Sequence, residues 1–301
     1  MSQILIQGMR RSGTTLLYDL MTTFEGLNVY YEPLAMPKSS IGGGSGISDE
    51  DFGEHIEKVR LSWRNQLTWP EKLKGLRAGP NALNYGAPSR PSAEFSQSVP
   101  SMVQSYLEFL LHSDARVAIK FTRMHHHIDV LKKIAPDGRL LLAVRDPRAV
   151  ASSYLYGRGQ KHRGIYETEQ DFFTKSTNRN PWSMRALSNE LIGEHYPGKL
   201  FSDLERVLLL WKHKNQKMIK DGEDYFESRH KVVRHEDFLL DAPAAMNSVL
   251  DFLELKIGAA QHEWAKTNIH GTSSLPYKNS VFWDEVFAKL DMTDLVASLG
   301  Y

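Results

Sequence analysis

The chain has 301 residues, and its 37 lysines and arginines balance 36 aspartates and glutamates to a formal net charge of +1. Because the charges balance, we expect neither nucleic acid nor an anionic membrane surface as a partner, and any anion site has to be a local feature. The sequence contains no cysteine, which excludes disulfides, thiolate metal sites and a thiol nucleophile.

The N-terminal residues 1–8, MSQILIQG, lack the basic start and the apolar stretch of a signal peptide. No run approaches the ~18 apolar residues of a membrane span. We therefore expect a soluble, cytoplasmic protein without a membrane partner. Its 41% hydrophobic content is enough for a large core, so the expected organisation is a single domain over residues 1–301.

The first predicted elements are a strand, a glycine turn and a helix. The apolar run 4–6 leads into a glycine, and apolar side chains recur at helical spacing over residues 14–24. A second short strand is predicted over residues 27–31. It ends at the Glu32-Pro33 pair, because proline stops an extended run.

Residues 36–100 interrupt this regular pattern. They contain the flexible stretch GGGSG at 42–46, several prolines, and a single helix signal at about 49–63. A long irregular insertion in a compact domain is more often a lid or a binding loop than filler. We interpret residues 36–100 as a lid or binding loop.

Strands and helices alternate again from residue 101. Strands are predicted at 116–121, 139–144 and 231–233, and helices at 101–112, 128–134, 149–156, 202–219 and 242–253. Alternation of this kind predicts an α/β fold, with a mainly parallel sheet in a three-layer α/β/α domain. From residue 259 onward the pattern is mixed.

The segment between the first strand and the first helix is a candidate anion site. Residues 8–15 read GMRRSGTT, and their backbone N–H groups, together with the helix N-terminus, would present donors to a phosphate. The frame matches the P-loop pattern G-x-x-x-x-G, but Thr14 stands where a nucleotide triphosphatase needs lysine. The cations lie upstream instead, at Arg10 and Arg11.

A second candidate site lies in residues 140–153, LLLAVRDPRAVASS. Arg145 stands at the carboxyl end of a predicted parallel strand, where open α/β sheets bind ligands. Its planar guanidinium suits a phosphate. Ser153 follows eight residues later, on the predicted next helix.

Together the two segments resemble the PAPS-dependent sulfotransferases, which use the donor 3′-phosphoadenosine 5′-phosphosulfate (PAPS). Residues 11–15, RSGTT, resemble the family's 5′-phosphosulfate loop, and Arg145 with Ser153 resembles its 3′-phosphate-binding segment. The resemblance implies a P-loop NTPase-like sulfotransferase fold, with 3′-phosphoadenosine 5′-phosphate (PAP) as the product. The donor would be bound by the following residues: Arg10, Arg11, Ser12, Gly13, Thr14, Thr15, Arg145 and Ser153.

Two further segments are similar to the family. Residues 233–238, VRHEDF, resemble its late strand and following turn, which we interpret as mainly structural. Residues 277–280, YKNS, resemble its C-terminal basic loop over the donor, which would add Lys278 to the donor-binding residues. An alternative for Lys278 is a solvated lysine beside a core tryptophan.

Three sets of residues are candidates for the chemistry. Sulfonyl transfer needs a base for the acceptor proton and cations for the charge on the sulfonate and the leaving phosphate. The resemblance implies Glu32 as the base, with Arg11 and Lys120 as the cations. His125, His126 and His127 are the alternative base. A metal role for them is disfavoured, since consecutive side chains on a helix point in different directions and no carboxylate cluster accompanies them.

The predicted activity is therefore metal-independent transfer of a sulfonate from PAPS to a hydroxyl or amine. The acceptor is expected to be a small molecule or a carbohydrate, reached through the 36–100 insertion. One alternative is a P-loop kinase or nucleotide triphosphatase, against which Thr14 argues. Another is a non-catalytic nucleotide-binding protein on the same fold, which would lack the base. The sequence does not predict the oligomeric state.

Overall fold

A computed structural model describes residues 2–35, 49–77, 94–96, 98–156, 186–269 and 280–301. The backbone divides into two compact units, each built from separate stretches of the chain. Unit 1 comprises Met1–Gly8, Thr14–Leu142 and Asp221–Lys231, and unit 2 comprises Met9–Gly13, Ala143–Lys220 and Val232–Tyr301. The single domain expected from the sequence stays a prediction.

The sheet has five strands in the order β2-β3-β1-β4-β5. They are β1 (Ser2–Gly8), β2 (Asn28–Tyr31), β3 (Arg116–Phe121), β4 (Arg139–Val144) and β5 (His230–Arg234). β3 pairs in parallel with both β1 and β2, and Lys120 lies opposite Ile6 on one side and Tyr31 on the other. The last residues of β4 and β5 belong to unit 2. The predicted α/β class with a mainly parallel sheet is confirmed.

The two strands richest in apolar residues are buried almost throughout. Residues 117–121 of β3 and 140–144 of β4 are all buried. A strand covered on both faces reads as a continuous apolar run, which is the pattern of a parallel sheet between layers of helices. The bounds of both strands match the sequence prediction.

Helices are found in both units. Unit 1 contains α1 (Thr14–Met21), α2 (Asp49–Gln66), α3 (Trp69–Arg77), α4 (Ser101–Leu111) and α5 (Ile128–Ile134). Unit 2 contains α6 (Pro147–Tyr156), α7 (Ala186–His195), α8 (Asp203–Asp221, whose last residue is in unit 1), α9 (His235–Leu240), α10 (Ala242–Phe252), α11 (Ala259–Asn268), α12 (Ser280–Lys289) and α13 (Thr293–Ser298). No helix in these described stretches is long and apolar enough to span a bilayer.

The insertion 36–100 is more helical than its sequence suggests. A single helix was expected there, but α3 follows α2 after only two residues. The Thr68 backbone N–H donates to the Glu71 carboxylate at 2.7 Å, the pattern of a helix N-terminal cap. Pro70 lies in the first turn of α3, where proline opens a helix rather than breaking one. The prediction of a single helix within residues 36–100 therefore misses α3.

Candidate active site

The loop of residues 9–13, which follows β1, is a tight turn in unit 2. The Ser12 hydroxyl and the Ser12 backbone N–H both donate to the Met9 carbonyl, at 2.6 and 3.1 Å. Arg11 and Gly13 have positive φ angles of 73° and 92°. Backbones of this kind form concave nests of N–H groups that bind anions. In the sequence, α1 begins directly after this loop, at Thr14.

Gly13 has no room for a side chain. A Cβ at this position would lie 2.6 Å from His235 Nδ1 and 3.1 Å from His235 Cγ. His235 is the first residue of α9, directly after β5. Two features of the loop therefore require glycine at position 13: the positive φ angle, and the imidazole of His235 packed against it.

Arg145 is hydrogen-bonded to the loop. Its Nη1 donates to the Arg11 carbonyl at 3.3 Å, and its own carbonyl accepts from the buried Trp211 indole at 2.9 Å. Arg145 directly follows β4, and both of these contacts lie within unit 2. The two segments that the sequence singled out as anion sites are thus joined by a hydrogen bond.

The start of α6 is fixed by a short polar network. The Asp146 carboxylate accepts from the Arg148 backbone N–H at 2.8 Å and forms a bidentate pair with the Arg148 guanidinium. The Asp146 backbone N–H donates to Glu236 Oε1 at 3.1 Å. Asp146 therefore caps α6, as its sequence predicts. Ser153 lies half-buried further along this helix.

His235 stays neutral at physiological pH. Burial, and the positive charge of Arg145, lower its pKa to about 4. A neutral imidazole adds no positive charge next to the 9–13 loop. The positive charge there comes from arginine side chains and not from His235. The sequence analysis interprets residues 233–238 as mainly structural, so it misses the contact between His235 and Gly13.

Glu32 and Lys120 form a buried ion pair in unit 1. The Lys120 Nζ lies 2.5 Å from Glu32 Oε1, and the two side chains are 3% and 7% exposed. The strands place them together, because β2 and β3 are parallel neighbours and the Glu32 backbone N–H donates to the Lys120 carbonyl at 3.0 Å. Residues at the carboxyl ends of adjacent parallel strands meet at one edge of the sheet.

The ion pair determines the charge of Glu32. Burial by itself would raise the pKa of this carboxyl, but the charge and hydrogen bond of Lys120, with a hydrogen bond from Thr122 and the charge of Arg123, hold it below its ordinary value. Glu32 is therefore a carboxylate at neutral pH and has the protonation state of a base.

Tyr31 lies between the ion pair and the beginning of α1. The Lys120 ammonium lies 4.2 Å from the centre of the Tyr31 ring, and the Tyr31 hydroxyl lies 3.4 Å from Thr15 Oγ1. Tyr18 packs edge-on against the same ring at 4.8 Å. Tyr31 thus contacts one residue expected at the donor and one expected in catalysis. Sequence reasoning missed this role, because Tyr31 matches the pattern of an ordinary strand residue.

The three histidines lie in unit 1 and are not equivalent. His125 and His127 are 0% and 4% exposed, while His126 is half-buried. The His125 and His126 rings are 4.7 Å apart, and both contact the Phe95 ring. Among the described residues no three His, Asp or Glu side chains are placed to hold a metal. Metal-independence stays a prediction.

The predicted residues thus fall into two groups. Residues 9–13 and Arg145 lie together in unit 2, which also contains Ser153. Glu32 and Lys120 lie together in unit 1, which also contains Thr14 and Thr15. Lys278 lies outside the described residues.

The sequence also matches a known family. The model of the sulfotransferase family matches residues 3–192, which is more than half of the chain. The protein therefore belongs to the sulfotransferase family, as the two segments at 11–15 and 145–153 indicated. A comparison with curated proteins gave no match.

Several solved structures are similar to this chain. The sulfotransferase domain from the Synechococcus PCC 7002 olefin synthase is 16% identical, with a TM-score of 0.46 over 100% of this chain and 95% of that chain. Sulfotransferase STF9 from Mycobacterium avium is 16% identical, with a TM-score of 0.48 over 95% and 75%. Sulfotransferase STF1 from Mycobacterium tuberculosis H37Rv is 14% identical, with a TM-score of 0.49 over 96% and 76%. The family assignment rests on the match at residues 3–192 and not on these similarities.

Proposed function

We propose that this protein transfers a sulfonate group from PAPS to a hydroxyl or amine of a small-molecule or carbohydrate acceptor. The observation that carries the proposal is the hydrogen bond from Arg145 to the Arg11 carbonyl, which joins the two anion-binding segments within unit 2. Membership of the sulfotransferase family supports the reaction class.

The described residues fit such a donor. The 9–13 loop has the turn of an anion nest, with positive φ angles at Arg11 and Gly13. We assign the 5′-phosphosulfate to residues 10–15 and the 3′-phosphate to Arg145 and Ser153. The sequence adds Lys278 to this set. When bound, PAPS would supply an activated sulfonate on a phosphate leaving group.

The ion pair supplies the proton chemistry. Glu32 is ionised at neutral pH, so its carboxylate can accept the proton of an acceptor hydroxyl or amine. Lys120 keeps the carboxylate charged and, with Arg11, provides positive charge for the reacting groups. No metal is needed for these roles.

A comparison of two nucleotides tests donor recognition. PAP and 5′-AMP differ only in the 3′-phosphate, so calorimetry should give tighter binding of PAP if Arg145 recognises that group. Charge-assisted hydrogen bonds contribute roughly 1.5–3 kcal/mol, so Arg145→Ala should weaken PAP binding about tenfold or more while leaving 5′-AMP nearly unchanged. Arg229→Ala is the matched control, because the Arg229 guanidinium also donates to a backbone carbonyl but lies in unit 1. Equal affinity for the two nucleotides would overturn the assignment.

Turnover distinguishes this reaction from the alternatives. Labelled PAPS is incubated with glucose, glucosamine, 4-nitrophenol and a tyrosine peptide, which sample sugar hydroxyl, amine and phenol acceptors. Transfer of the labelled sulfonate that survives excess EDTA supports a metal-independent sulfotransferase, whereas no transfer from PAPS together with magnesium-dependent transfer from γ-labelled ATP supports the kinase class. PAP binding without transfer to any acceptor class supports a non-catalytic nucleotide-binding protein.

A further inference from the structure

An arginine is fully buried beside the turn that carries Glu32. Arg60, on α2, is 0% exposed. Its Nη2 donates to the Pro33 carbonyl and to the Ala35 carbonyl, both at 2.7 Å. One guanidinium nitrogen thus bridges the carbonyls of the first and third residues after Glu32.

The bridged turn has an unusual backbone. Glu32 has a positive φ of 44°, which costs conformational free energy for a residue other than glycine. The Ala35 backbone N–H donates to the Glu32 carbonyl at 2.9 Å and closes the turn. Such a conformation persists only when its surroundings fix it. Arg60 is the side chain that fixes both carbonyls on the far side of this turn.

The charge of Arg60 is costly in this position. Burial, and the nearby charges of Arg64 and Arg123, lower its pKa, while Tyr106 opposes this change. Its partners among the described residues are neutral groups: the two carbonyls, and Tyr106, which contributes a hydrogen bond and a ring whose centre lies 5.7 Å away. An apolar side chain of similar length would fill the same space without burying a charge. The guanidinium is therefore explained by its hydrogen bonds and not by packing alone.

We propose that Arg60 is a positioning residue for the reaction: it locks the turn 32–35 in the conformation that directs the Glu32 carboxylate toward Lys120. This inference rests on the proposed role of Glu32 as the base. Because α2 belongs to the 36–100 insertion, the same contact ties the insertion to the base. Arg60 itself touches neither donor nor acceptor in this role.

Two variants test this role against a matched control. Arg60→Met removes both hydrogen bonds to the carbonyls, Arg60→Lys keeps the charge with a single amine, and Lys58→Met changes an exposed cation of the same helix. A misplaced base lowers turnover by roughly 10²-fold, so we expect this loss of kcat in Arg60→Met, with the Kd for PAP within about twofold of the wild type. Arg60→Lys should recover part of the loss, and Lys58→Met should behave as the wild type.

The pH profile separates positioning from general damage. If the turn relaxes, the Glu32 carboxylate moves away from Lys120 and its pKa rises, so the acid limb of kcat shifts to higher pH in Arg60→Met. Hydrogen exchange of the Ala35 amide should also become at least about tenfold faster, whichever acceptor is used. If Arg60→Met does not fold, the acid limb of kcat and the exchange of the Ala35 amide are measured in Arg60→Lys instead.

The outcomes distinguish this inference from the proposed function. An unshifted acid limb together with an unchanged Ala35 exchange rate in a folded Arg60 variant overturns the positioning role. Glu32→Gln is measured alongside. If Glu32→Gln keeps its turnover, the assignment of the base is wrong; if it loses turnover while the Arg60 variants do not, only the role of Arg60 is wrong.

Discussion

Glu32, buried in unit 1, and His235, half-buried in unit 2, are both titratable groups, and their pKa values are lowered for opposite reasons. For Glu32, burial raises the pKa, but the charge and hydrogen bond of Lys120, with the hydrogen bond of Thr122 and the charge of Arg123, together lower it and favour the charged carboxylate. For His235, burial and the Arg145 charge both favour the neutral imidazole. One region thus keeps a carboxylate charged, and the other keeps a histidine from adding charge beside Arg145, the arginine that we assign to a phosphate. The same direction of pKa shift therefore has different chemical meanings in the two regions.

The largest effect is expected from removing the charge in unit 1. Glu32→Gln should lower turnover by roughly 10²–10⁴-fold, because the amide cannot accept the acceptor proton. The Kd for PAP should hardly change, which separates the chemical step from donor binding. Initial rates and calorimetry measure the two quantities, and Glu25→Gln, an exposed carboxylate of the same unit, is the control. Near-normal turnover in Glu32→Gln, with a collapse in a variant of residues 125–127, would make the histidine cluster the base.

A smaller effect is expected from crowding His235. Gly13→Ala places a methyl group against the imidazole at a position with φ of 92°, and should lower the free energy of unfolding by about 1–3 kcal/mol and weaken PAP binding. Gly26→Ala is the matched control, because Gly26 also has a positive φ but no atom within 4 Å of a Cβ there. Urea unfolding of both variants isolates the contact with His235. Equal losses would show that only the backbone angle matters.

The smallest effect is expected from pH. His235 has a folded pKa of about 4 against an ordinary value of 6.5, so the unfolded chain binds more protons between these values and stability falls as pH falls through this window. Between pH 7 and pH 5.5 this group should contribute about 1 kcal/mol of lost stability. Glu32 affects stability only at lower pH. Its lowered pKa keeps it charged between pH 7 and pH 5.5, and its contribution to stability is lost only as the pH falls below the ordinary pKa of a glutamate.

The difference between wild type and His235→Gln isolates this contribution, since His213 has a similarly lowered pKa of about 4 and changes both proteins alike. Urea unfolding at pH 7, 6.5, 6 and 5.5 measures it. A wild-type stability curve that runs parallel to that of His235→Gln would contradict the assigned pKa.

Local sequence patterns predicted the central elements well. The bounds of β3, α5 and β4 match, because apolar runs bounded by turn residues define both ends of each element. α2 is different. Arg60, Trp63 and Arg64 of this helix, and Leu67 just after it, are all buried at helical spacing. Arginine does not count as apolar, so the two arginines among these four residues added nothing to the predicted apolar face.

The contacts within the site could not be predicted to the same degree. The sequence predicts that Glu32 and Lys120 each lie at a strand end. Their ion pair also requires β2 to lie next to β3, and the order of strands in a sheet cannot be predicted from local sequence patterns. Gly13 was expected to be a turn glycine. The imidazole of His235 against it depends on a contact between residues more than 200 positions apart in the chain. Long-range packing of this kind needs the fold.

The indole of Trp211 is an intrinsic fluorophore next to the segment that we assign to the donor. It is fully buried and donates its N–H to the carbonyl of Arg145, the residue assigned to the 3′-phosphate. The emission wavelength of an indole depends on the polarity around its N–H group. A nucleotide that displaces the Arg145 carbonyl on binding changes that polarity, so no added dye is needed. The chain has 6 tryptophans. Subtracting the fluorescence spectrum of Trp211→Phe from that of the wild type leaves the emission of Trp211, which should change as the nucleotide binds.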